Sequence, residues 1–275
     1  TVTPRPVRPA PAAPVRTATG AGLTGRGVTV AHGRRAVVRE VDVDLPSGVV
    51  TALMGRNGAG KSSLIWALQG SRKRYAGRVV VDGVDPAALS ADERVRRVGL
   101  VPQTAADLLY LETVREECAA ADAGARVVAG SCADLLATMV PGIDPEQHPR
   151  DLSEGQRLAL VLAIVLVAEP PVLLLDEPTR GLDYPAKEAL AVTLRRLADA
   201  GHAVLVASHD VEFVARVADR VVVMAEGEVV SAGPVREVLA ESPSFAPQVA
   251  KITGAGWLTV DEVVAAAGDS AEETR

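Results

Sequence analysis

Residues Gly55 to Ser62 read GRNGAGKS and satisfy the spacing G-x-x-x-x-G-K-[ST] in full. Gly55, Gly58 and Gly60 let backbone N–H groups curl around phosphate oxygens, Asn57 lies in the same loop, and Lys61 is placed to meet β and γ oxygens. Ser62 is the hydroxyl expected on Mg2+, with Ser63 following it into a helix. A second group of candidates closes the apolar run Val172 to Leu175, where the chain continues with Asp176 and Glu177. Asp176 is expected to hold Mg2+, directly or through water, as the acidic partner of Ser62, and Glu177 to polarise an attacking water. A strand ending in solvated acids is an ordinary arrangement, but behind a full phosphate loop in this order the catalytic reading is the stronger one. The third group is LSEGQ at Leu152 to Gln156. A helix starting there offers N–H groups and the Ser153 hydroxyl to an anion, with Gly155 allowing close approach. The chemistry these groups suit together is binding and hydrolysis of ATP with Mg2+.

Each group needs an element to place it. Val49, Val50, Ala52, Leu53 and Met54 make an apolar strand before the phosphate loop, and Ser63 to Leu68 suit a helix after it. From Gly27 the alternation Val28, Val30, then Val37, Val41, Val43 and Leu45 predicts short antiparallel strands with a hairpin. Gly77 to Val81 reads as another strand, Pro86 to Arg97 as a helix and Val98 to Val101 as a strand. Leu108 to Met139 is helical in composition, with acids at Glu112, Glu116 and Glu117, and is broken by Gly124 and Gly130. Strand Val172 to Leu175, helix Pro185 to Ala200 and strand Ala203 to Ala207 follow, so strands alternate with helices as in a mainly parallel sheet. The expected organisation is a Pro-rich linker over 1–22, a nucleotide-binding unit over 23–233 with a helical subdomain near 104–165, and a C-terminal extension over 234–275. That extension is expected to carry a helix at Val235 to Ala240 and an amphipathic stretch at Asp261 to Ala267.

At 275 residues the chain can bury a substantial core. A formal charge of −6 disfavours a nucleic-acid face, so no nucleic-acid partner is expected. The apolar run Leu158 to Ala168 is too short to cross a bilayer. Without a cationic-then-apolar leader the expected location is the cytosol. Cys118 and Cys132 have no metal-ligand spacing and read as small helix residues. Thr1 to Gly22, with prolines at 4, 6, 9, 11 and 14, reads as a tether and suits the join between two fused domains.

With GRNGAGKS, LSEGQ and VLLLDEP in this order, the chain resembles the nucleotide-binding subunit of an ATP-binding-cassette (ABC) transporter over roughly Gly27 to Gly233. The resemblance implies an α/β P-loop ATPase core with a mainly parallel sheet, an N-terminal antiparallel β subdomain and a small helical insert. It implies that Ser153, Gly155 and Gln156 grip the γ-phosphate of ATP held by a second cassette, identical or different. The commoner spelling has glycine where this chain has Glu154, so Glu154 is expected to point outward, favouring the helix dipole, or to weaken that half-site. Gln103, in VPQ, matches the glutamine that contacts Mg2+ or the attacking water. His209, in VLVASHD, matches the histidine placed against the γ-phosphate and Glu177. Arg180 to Asp183 resemble the loop that crosses the dimer interface, and Asp183 before Tyr184-Pro185 also suits a helix cap. His32 stands where the family stacks an aromatic ring on adenine; a solvent-exposed loop histidine is the competing reading.

Thr104 to Asp122 and the tail segments Ser242 to Ile252 and Trp257 to Val263 resemble the energy-coupling-factor importers of vitamins and metals, in part their fused tandem forms. That likeness implies transmembrane scaffold and substrate-binding membrane subunits as partners, gripped near Leu108 to Glu117, and a peripheral place on the cytoplasmic face of the membrane. Two other classes stay open from sequence. One is a soluble ABC ATPase acting on ribosomes or DNA, which commonly carries long charged linkers or basic surfaces absent here. The other is a low-turnover structural partner in an asymmetric pair, for which Glu154 and His32 leave room.

Overall fold

The computed structural model describes residues 22–241 and, beyond them, 247, 249, 258, 259, 262 and 263. The expected Pro-rich linker therefore lies outside the described residues, apart from Gly22, and so does most of the tail, including nearly all of the expected amphipathic stretch.

Alternation in the first half builds an antiparallel layer. Strands β1 (Leu23–His32) and β2 (Arg35–Leu45) form an antiparallel hairpin that pairs Leu23 with Leu45 at one end and His32 with Arg35 at the other, with register shifts between Gly25 and Ala31. The strand β3 (Val50–Met54) is buried at every position and runs through the phosphate loop into helix α1 (Lys61–Gln69). Strand β4 (Ala76–Val81) then returns to pair with β1, giving the order β2-β1-β4.

A second sheet carries the rest. Helix α2 (Ala91–Arg97) leads into β5 (Val98–Val101), and helices α3 (Val114–Ala125), α4 (Ser131–Met139) and α5 (Glu154–Leu166) precede β6 (Val172–Asp176). Helix α6 (Tyr184–Asp199), β7 (Ala203–Ala207), α7 (Val211–Val217), β8 (Arg220–Ala225), β9 (Glu228–Pro234) and α8 (Val235–Glu241) complete the chain order. The sheet order is β5-β6-β7-β3-β8-β9, parallel throughout except for the β8–β9 pair. Parallel strands covered on both faces read as continuous apolar runs, and VLLL and AVLVA have that character.

Helix α1 lies between the sheets, with Leu64, Ile65 and Leu68 packed among Val28, Val30, Leu53, Leu174 and Leu205. On the opposite face Leu158, Val161 and Leu166 of α5 join Leu190 and Leu194 of α6 and Phe213 of α7. A third apolar cluster unites α3, α4 and α5 through Cys118, Cys132, Leu136, Ala159 and Leu160. Past α8, Leu258 is buried in the main cluster, and Glu262 pairs with Arg236.

Two expectations need correction. The helix expected over Pro86 to Arg97 is a 3-10 turn at Pro86–Ala88 followed by α2, because Ser90 and Glu93 form a capping box that starts a new helix. In the stretch expected to be helical over Leu108 to Met139, a 3-10 turn at Ala105–Leu108 ends as the stretch begins and the first α-helix starts only at Val114, because Thr113 and Glu116 form the same device. Strands β8 and β9 and helix α7 were not expected individually.

Candidate functional site

The phosphate loop has the conformation its glycines permit. Gly55 has φ +147°, and a Cβ there would stand 2.4 Å from the Met224 carbonyl oxygen. Gly60 has φ +103°, and a Cβ would stand 2.5 Å from the Val37 carbonyl oxygen. Any side chain at either position would have to displace backbone. Gly60 is the N-cap of α1 and supplies no side-chain cap, so N–H groups of the first turn remain for an anion. Lys61 is 6% exposed, and its Nζ donates to the carbonyl oxygens of Gly55 at 2.8 Å and Arg56 at 3.4 Å. Those bonds hold the ammonium over the loop.

The carboxylates at the end of β6 are both buried. Glu177 has φ +50°, a left-handed conformation unusual for a residue with a side chain, and its N–H donates to the Ala207 carbonyl of β7 at 2.9 Å. The strained turn fixes where its carboxylate emerges. Glu177 Oε2 lies 2.7 Å from His209 Nδ1, and Oε1 lies 3.4 Å from Lys61 Nζ, an ion-pair distance without a hydrogen bond. Asp176 Oδ1 is also buried without a hydrogen-bond partner. Burial pushes the Asp176 carboxyl above the usual carboxylate range, and the charge of Glu177 adds to this, while the Ser62 hydroxyl and Lys61 oppose it. Buried polar oxygens are nearly always satisfied. Two adjacent acids with orphaned oxygens beside a serine hydroxyl suit a hard divalent cation and a water, so Mg2+ fits the groups present.

A cavity of about 660 Å³ opens over the loop. Asn57, Gly58, Gly60, Lys61, Ser62 and Ser63 line it, and four other segments bring His32, Gln103, Glu177 and His209 to it. Gly55 and Asp176 are buried behind this lining, joined to it through Lys61 and Ser62 respectively. His32 ends β1 and is exposed, a placement open to either of its two readings.

Ser153, Gly155 and Gln156 do not line that cavity. They form the N-terminus of α5, where Ser153 Oγ accepts from Gln156 N–H at 3.2 Å and Gln156 Oε1 accepts from Ser153 N–H at 3.0 Å. Glu154 accepts from the Arg157 guanidinium at 2.6 Å, and its side chain lies over Gly181. Its charge is thus answered within its own helix. Arg157 also donates to the carbonyl oxygens of Pro149, Arg150 and Leu152 and so pins the loop that leads into α5.

Several supporting residues escaped the sequence reading. Arg157 is one, and Glu117 is another: its buried Oε1 accepts from the N–H groups of Tyr110 and Leu111 at 2.5 and 2.7 Å, tying the segment after Gln103 to α3. Asp210 caps α7 beside His209 and pairs with Lys187 at 2.6 Å. Only the caps have a local sequence signal; the other bonds join segments whose proximity depends on the fold.

Residues 38–180 match the ABC transporter family. The chain is 53% identical over 252 residues to a Streptomyces avermitilis protein named as an ABC transporter ATP-binding protein, covering 91% of this chain and 45% of that protein's length. It therefore spans less than half of that relative. It is 38% identical to the hemin import ATP-binding protein HmuV of Streptomyces coelicolor, covering 86% of this chain and 85% of that one. Among solved structures, cbiO1 from Clostridium perfringens, described as part of the ABC transporter complex cbiONQ, superposes with a TM-score of 0.71 at 25% identity, covering 84% of this chain and 94% of that one.

Proposed function

Because this chain belongs to the ABC transporter family of ATP-hydrolysing cassettes, we propose that it is the motor of an importer of the energy-coupling-factor kind. In this reading it closes head to tail with a second cassette around two ATP molecules, and the cycle of closing and reopening drives micronutrient uptake through membrane subunits. The observation that carries it is the division of the site. Lys61, Ser62, Glu177 and His209 converge on one cavity, while Ser153, Gly155 and Gln156 stand outside it. A second chain's helix N-terminus is what would complete the anion's shell.

The residues divide the work as follows. The loop N–H groups and Lys61 bind the β and γ phosphates, and His32 stacks on adenine. Ser62, Asp176 and Gln103 would hold Mg2+, which supplies charge neutralisation to the phosphates. Glu177 accepts the proton of the attacking water as its oxygen bonds to the γ-phosphorus and the bond to the bridging oxygen breaks, leaving ADP and phosphate. His209, bonded to Glu177, orients that carboxylate. Import as the direction draws support from the hemin import relative and from the likeness to cbiO1. Among the described residues no helix is long and apolar enough to cross a membrane, so in this reading the chain sits on membrane subunits at their cytoplasmic face.

The test is phosphate release by the purified chain, alone and with scaffold subunits, against Glu177→Gln. Loss of the general base is expected to cut turnover by about 10²- to 10⁴-fold while nucleotide still binds. Turnover unchanged by the substitution defeats the assignment.

A further inference from the structure

Arg180 stands in the turn that follows the paired carboxylates, and its side chain lines the cavity that holds Lys61, Ser62, Gln103, Glu177 and His209. It also borders the neighbouring cavity at the base of the α5 N-terminus, which Glu154 and Arg157 line. The backbone beneath it is anchored on both sides. Arg180 N–H donates to the Glu177 carbonyl at 3.2 Å, Leu182 N–H donates to the Thr179 carbonyl at 3.3 Å, and Asp183 caps α6. The guanidinium therefore hangs from a fixed turn, three residues from Glu177.

The charges lining this cavity are unevenly committed. The Lys61 ammonium is engaged with two carbonyls and lies near Glu177, and the His209 ring is bonded to the same acid. The Arg180 side chain is exposed and makes no hydrogen bond or ion pair with any described residue. An uncommitted guanidinium on a rigid turn beside a phosphate loop has the planar donor geometry that phosphoryl oxygens accept, and no partner must be given up to use it.

Building on the cassette reading above, we propose that Arg180 is a further catalytic residue, contacting the γ-phosphate of the ATP bound in its own cavity. Negative charge spreads over the γ-phosphoryl oxygens as the water oxygen bonds to phosphorus, the bond to the bridging oxygen breaks and the proton passes to Glu177. A guanidinium aimed at those oxygens stabilises that state more than the ground state. It also discriminates triphosphate from diphosphate, because ADP lacks the group it touches.

The test is calorimetric titration with Mg2+ and either adenylyl imidodiphosphate, a non-hydrolysable ATP, or ADP, on the wild-type chain, Arg180→Ala, Arg180→Lys and Lys61→Ala. One lost charge-assisted contact predicts about tenfold weaker triphosphate binding for Arg180→Ala, with ADP changed less than about twofold and Arg180→Lys recovering part of the loss. Retained ADP binding reports that the variant is folded. Equal weakening of both nucleotides, or no change in either, overturns the role of Arg180. Lys61→Ala should weaken both nucleotides. If it binds them as the wild type does, the phosphate-loop reading itself fails, whatever Arg180 does.

Discussion

At the scale of single residues, Asp176 sets burial against charge. Its carboxylate is 2% exposed and one oxygen has no partner, so with no cation bound the ionised form is penalised. Burial raises its pKa in the folded state, so the folded chain binds more protons than the unfolded one between the ordinary carboxylate range and the raised value. Stability of the nucleotide-free chain should fall as pH rises through that window. Asp176→Asn removes the penalty without changing shape. It is expected to raise the unfolding midpoint at neutral pH. In acid, where Asp176 is protonated in both states, the gain should vanish. Thermal scans across pH check this; a variant no more stable than the wild type at neutral pH would show that the buried carboxylate costs nothing. The placement of Lys61 and Glu177 is legible in the sequence because it depends on short, local spacing. The bond between Glu177 and His209 joins residues 32 positions apart, so only their order along the chain could suggest it.

Among the elements, α5 links the parallel sheet to the helices α3 and α4. Its residues are apolar almost all round: Leu158, Val161, Leu162 and Leu166 pack toward the parallel sheet, and Ala159, Leu160, Ala163 and Val167 pack toward α3 and α4. The N-terminus that presents Ser153 is therefore held from both sides, with Arg157 and the capping box fixing its first turn. Leu160 has 0% exposure, and Leu160→Ala is expected to lower stability by about 2–5 kcal/mol through lost burial and the cavity left behind. Denaturant melts give the number, and a loss under about 1 kcal/mol would mean that this helix is not gripped as described. The strands β3, β6 and β7 are legible because burial on both faces writes itself as unbroken apolar runs. The starts of α2 and α3 are less so. Helix-favouring composition extends upstream of both, and the boundary rests on the Ser90–Glu93 and Thr113–Glu116 reciprocal caps, a signal of two residues each. Glu112, Glu116 and Glu117 look alike as acids of one helical stretch, yet Glu117 is buried and bonds backbone N–H groups that only the folded chain brings to it.

At the scale of the whole molecule, one chain lines a cavity with a phosphate loop, the Glu177 carboxylate and a histidine and leaves the N-terminus of α5 outside it. The proposed answer is exchange: each cassette's Ser153 serves the other's triphosphate. Two variants test this directly when mixed, since Glu177→Gln disables the carboxylate of a site and Ser153→Arg blocks the helix end that completes its neighbour. If sites are shared between chains, each variant alone is inactive, but an equimolar mixture regains about a quarter of wild-type phosphate release, half of the pairs being mixed and each mixed pair keeping one intact site. If each chain completes its own site, no mixture of the two exceeds the activity of either variant alone, and that result would contradict the account.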